Sequence, residues 1–156
     1  MKTLFMETTK IPVGQTVSQI QRILGEYGAC AVMTEYKDKE VTAVCFKVMF
    51  LDRDIPFRLP CRWEAVYKSI LDRPRKRMLG SEEVLAWQDQ SKRIAWRQIL
   101  RWVEAQMALV ETNMVKVHEV FLPYIQCGIN AKGEAQTLAE KFENESSKFL
   151  LLDKKS

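Results

Sequence analysis

Apolar residues recur along this chain in two rhythms. In residues 16–27, Val17, Ile20, Ile23 and Leu24 fall at three- and four-residue intervals, and Gly28 follows them. That is the spacing of one helix face with a glycine stop, and Thr16 stands where it can cap the first turn. Residues 29–36 then read as a strand after the helix. Residues 41–51 alternate, with Val41, Ala43, Cys45 and Lys47 on one side and Thr42, Val44, Phe46 and Val48 on the other. A short third strand is expected at 55–59, and Pro56 and Pro60 mark it as an edge. The polar turns at 37–39 and 52–54 are short, so the three strands should form an antiparallel meander.

Beyond Pro60 the rhythm becomes helical. Trp63, Val66, Tyr67 and Ile70 predict a helix over 61–71, stopped by Asp72, Arg73 and Pro74. Residues 75–80 form a basic, exposed linker by composition. A long helix is predicted from Ser81 to about Thr112, with Glu82 and Glu83 in the first turn, where the helix dipole favours acids. A short helix over 115–124, a weak one over 132–145 and a tail over 148–156 complete the reading. The expected class is α+β: an N-terminal helix, a three-stranded antiparallel meander and a helical C-terminal half with one long helix. Residues 1–127 are expected to form one domain, and 128–156 a polar C-terminal extension, partly helical or flexible.

Composition narrows the class. The chain has 156 residues, enough for one domain with its own core, and 47% of them are hydrophobic. The net charge of +4 is mild, but its distribution is not even. Between Arg58 and Arg77 seven cations face only Glu64 and Asp72, while acids gather in 134–145. Cys30, Cys45, Cys61 and Cys127 lie too far apart in sequence for a CxxC pair, which excludes zinc-ribbon and thioredoxin-type motifs. Cys30 and Cys45 sit in strand-like runs and read as small buried hydrophobes. The opening ten residues hold no signal-peptide core, and no window approaches the ~18 apolar residues of a membrane span, so a cytoplasmic protein is expected.

The most distinctive charges are Arg93, Arg97 and Arg101, which recur every fourth residue on the long helix. That spacing sets them along one ridge. On the same wheel Trp96, Ile99, Leu100, Val103, Met107 and Val110 make an apolar arc that must pack, which leaves the ridge at the surface. Guanidinium forks suit phosphates, although such a ridge also suits a plain solvated face paired with Glu104. Arg73, Arg75, Lys76 and Arg77 form a second basic cluster just before this helix. Side by side, loop and ridge would make one patch, with Trp63, Tyr67, Trp87 and Trp102 as rings able to stack bases.

Catalytic signals are weaker. His118 is the sole histidine, which removes histidine metal sites and HExxH chemistry. Asp52 and Asp54 flank Arg53 in a turn; they are the residues a metal-dependent nuclease would use, but no acid-x-Lys pair follows them. No glycine-rich phosphate loop occurs. No catalytic residue, metal ligand or cofactor is therefore assigned.

Three segments, TTKIPVGQTVSQIQRILGEYGA, IPFRLPCRWEAVY and SKRIAWRQILRWVEAQMALVETNMVKVHEVFLPYI, carry a resemblance over about residues 8–125. The chain resembles a family of small proteins encoded by bacteriophages and prophages. That resemblance implies a viral or mobile-element origin and a bacterial cytoplasm, and it brings no activity residue by residue. The leading expectation is a non-enzymatic accessory protein of phage DNA metabolism. It would bind nucleic acid, single-stranded DNA above duplex, through Arg73, Arg75, Lys76, Arg77, Arg93, Arg97 and Arg101. The alternative is a protein-interaction module that inhibits a host defence or replication factor, and a further alternative is a metal-dependent nuclease using Asp52 and Asp54. The sequence leaves homo-oligomerisation open.

Overall fold

The computed structural model describes residues 2–145, and the tail expected over 148–156 lies outside them. Helix α1 (Val13–Glu26) leads into a three-stranded antiparallel sheet of β1 (Ala29–Lys37), β2 (Glu40–Phe50) and β3 (Arg53–Pro60), in the order β1-β2-β3. Helices α2 (Trp63–Leu71), α3 (Ser81–Glu111) and α4 (Val117–Phe121) follow. The described residues end with a short hairpin, β4 (Gln126–Ile129) and β5 (Ala135–Thr137), and helix α5 (Leu138–Asn144). The α+β class and the order of its principal elements agree with the sequence rhythm.

The turns explain the tight meander. Asp38 and Lys39 both have left-handed backbone (φ 50° and 66°), as a two-residue hairpin turn requires. Leu51 and Asp52 do the same at the next turn (φ 48° and 59°). The expected turn at 52–54 therefore moves back by one residue. Phe50 pairs directly with Arg53, and β3 begins earlier than the proline-bounded run suggested.

The core lies between one sheet face and the helices. Val44, Phe46, Phe57 and Leu59 on the sheet meet Val17, Ile20 and Leu24 of α1 and Trp96, Leu100, Val103 and Met107 of α3. Phe46 stacks on Phe57 at 5.0 Å, and Phe121 of α4 meets Phe46 edge-on at 5.2 Å. Contacts of this kind contribute about 1 kcal/mol each beyond the area they bury. Trp102 packs on Phe121 and Tyr124 and is half-buried in this cluster.

Two further expectations change. Cys30 is exposed, because the register of β1 against β2 slips between Ala29 and Ala31 and turns it to the outer sheet face. The region expected as a weak helix over 132–145 holds a hairpin before its helix. Ile125 bridges to Phe57, carrying this hairpin onto the β3 edge, and the buried Thr137 caps α5 by accepting from the Glu140 amide. None of the described helices is long and apolar enough to cross a membrane.

Candidate nucleic-acid interface

The long helix does not present its arginines as a ridge. Arg97 is only 4% exposed; its Nη1 donates to Gln19 Oε1 of α1 at 2.7 Å, and its Nε has no hydrogen-bond partner. Ile94, Ala95, Trp96 and Arg97 are all buried in succession, so this stretch of α3 is covered on every side. An apolar stripe reveals one packed face; here α1 covers a second. Arg97 is thus removed from the expected phosphate-binding set.

Its neighbours are engaged in different ways. Arg93 donates through Nε and Nη2 to Gln90 Oε1, and Gln90 Nε2 in turn donates to the Glu7 and Thr9 carbonyls. Arg101 is exposed and donates to Glu104 at 2.7 Å. Helix length separates Arg101 from the basic loop. At ~1.5 Å per residue, Arg101 lies roughly 30 Å along the axis from the helix start, so it cannot share a patch with that loop.

The loop between α2 and α3 is the denser cluster. Arg73 makes a two-pronged ion pair with Glu7 at 2.7 Å, largely shielded from solvent. The Arg73 fork, helped by the Leu4 amide, holds the Glu7 carboxyl down at about 2. Arg77 pairs in the same manner with Glu83, whose carboxyl also accepts from the Gly80 amide and is likewise lowered to about 2. Arg75 donates to the Ile70 carbonyl. Lys76 is exposed and has no ion-pair partner among the described residues. Two depressions flank the loop, and Arg75, Lys76, Arg77 and Leu79 border both. One, of about 320 Å³, includes Trp87; the other, of about 560 Å³, includes Tyr67.

Sequence reasoning passed over Lys39, Lys92 and Tyr36. These line a cavity of about 490 Å³ with Trp63 and Arg93. Lys92 Nζ lies 4.9 Å from the Trp63 ring centroid and 2.7 Å from Glu40 Oε1. Nothing in the spacing of these residues links them, since they come from the β1–β2 hairpin, α2 and α3. Glu35 and Arg58 border a polar cleft of about 830 Å³ beside β4–β5 and α5, and the buried Cys45 donates to Glu35. There burial raises the Glu35 carboxyl, but the Arg58 fork and the Cys45 thiol outweigh it, and the net shift is downward. Asp52 and Asp54 sit exposed at the β2–β3 turn. Among the described residues no group of three or more His, Cys, Asp or Glu side chains is placed to hold a metal ion.

Compared with known protein families, curated proteins and solved structures, the chain matches none.

Proposed function

We propose that this chain binds single-stranded nucleic acid through the loop that carries Arg73, Arg75, Lys76 and Arg77, as an accessory protein of phage DNA metabolism in the bacterial cytoplasm. The observation that supports it is the pairing of charge with rings. Arg75, Lys76 and Arg77 border two depressions that contain Tyr67 and Trp87. Cations hold a phosphate backbone, and an aromatic face beside them takes an unpaired base. The reading assigns no catalytic residue. Of the arginines on α3, it retains none as a principal contact.

The test is a fluorescence titration with a labelled oligonucleotide at low and raised salt. Three displaced phosphate counterions give a log–log salt slope of about −2 for a single strand. Lys76→Ala makes that slope shallower by about 0.7, while Arg101→Ala leaves it unchanged. Absence of binding at low salt sinks the reading.

A second reading, a protein-interaction module acting on a host factor, is favoured by the exposed Met33 and Met49 on the outer sheet face. A partner that stays bound after nuclease treatment, and is lost in Met49→Ser, would point that way.

A further inference from the structure

We infer that the single strand does not end at the loop but continues along α2 into the cavity beside the β1–β2 turn, with Tyr67, Trp63, Tyr36, Lys92 and Lys39 as its further contacts. This rests on the nucleic-acid reading and extends it to a second cavity.

Trp63 and Tyr67 are four residues apart on α2, on the same side of the helix. Their ring centroids are 6.2 Å apart. Tyr67 borders the 560 Å³ depression beside Arg75, Lys76 and Arg77. Trp63 borders the 490 Å³ cavity beside Lys39, Lys92 and Arg93. One pair of neighbouring rings thus has a member in each cavity wall, with cations beside both.

The rings are supported from below. Trp63 is half-buried and packs on the core, so its position is fixed before any ligand arrives. Tyr36, 64% exposed, lines the same cavity. Lys92 lies over the Trp63 ring, so a base that stacks there takes the lysine's place and the displaced ammonium turns to the phosphate. Two carboxylates, Glu40 and Asp89, also line the cavity and now hold Lys92. Both are more than half exposed, so a phosphate can compete for Lys92 without leaving a buried charge unpaired. Lys39 has no ion-pair partner among the described residues. At this end α1 begins with Pro12 as its cap, no side-chain cap and no acid in its first turn, and Val13 and Gly14 line the cavity. The track rests on the rings and lysines.

Duplex bases are stacked on each other and cannot lie on Trp63 and Tyr67, so the track selects unpaired strands. The experiment compares a trinucleotide, an oligothymidylate of about ten nucleotides, within the site sizes of single-strand binders, and a duplex of equal length. Each is titrated by anisotropy against wild type, Lys76→Ala and the double variant Tyr36→Ser/Lys39→Ala, whose sites are exposed and whose folding is checked by circular dichroism. The longer strand should bind more tightly than both the trinucleotide and the duplex. The double variant should weaken the longer strand about tenfold and leave the trinucleotide unchanged. If Lys76→Ala weakens binding but the double variant does not, the track is wrong and the loop reading stands. If no oligonucleotide binds wild type, both fall.

Discussion

Arg97 shows how far a single side chain can depart from what its neighbours in sequence suggest. It is a buried cation whose described hydrogen bond goes to an uncharged amide, and one of its nitrogens has no partner. Desolvation of such a charge is only partly offset, so an apolar side chain of similar length should do nearly as well. Arg97→Met is expected within about 1 kcal/mol of wild type in urea unfolding, or above it. Arg97→Ala opens a cavity and strands Gln19, and should cost about 2–4 kcal/mol. Equal losses in the two variants would mean that the charge itself is required. The cysteines make a comparable contrast. Burial pushes the Cys45 thiol up to about 12, helped by its bond to Glu35. Burial also raises Cys61 to about 12, with the Glu64 charge adding to it. Cys30 is exposed. In a thiol-labelling assay at neutral pH, Cys30 should react in the native protein, while Cys45 and Cys61 should wait for denaturant. Prompt labelling of Cys45 would contradict the packing of the outer sheet face.

Among the elements, the N-terminal segment has the least obvious role in sequence. It crosses α3 as a strap. Gln98 Nε2 donates to the Phe5 carbonyl, Gln90 holds the Glu7 and Thr9 carbonyls, and Glu7 grips Arg73. Because the folded Glu7 carboxyl is lowered from 4.5 to about 2, the pair stabilises the fold fully above about pH 4.5 and loses that contribution as pH falls toward 2. Glu7→Gln should lower stability at neutral pH by about 2 kcal/mol and flatten the acid limb of the stability curve across that window. Chemical denaturation at stepped pH measures both effects, and an unchanged acid limb would show that the strap does not depend on this pair. The helices were legible for a simple reason: a three-to-four spacing is a local property. The β4–β5 hairpin was not, because its strands are short and polar and their pairing depends on Ile125 meeting Phe57 on β3.

For the molecule as a whole, a net charge of +4 gives little long-range field, and screening over about 8–10 Å confines attraction to local clusters. Function then depends on which cations the fold gathers, and that is a matter of distant partners. The apolar rhythm was enough to establish the α1, α2 and α3 faces, the meander and the packing arc of Trp96, Leu100, Val103 and Met107, since each follows from neighbours a few residues apart. The basic character of residues 73–77 was equally plain from composition. Folding alone decided which of those charges remain available. Glu7 takes Arg73 from 66 residues away, and Gln19 meets Arg97 across 78. It also brought Tyr36, Lys39, Trp63 and Lys92 to one cavity from separate elements. Periodicity reports that a helix has a packed side; it carries no record of how many other elements will close over the rest, because that depends on where remote segments come to lie.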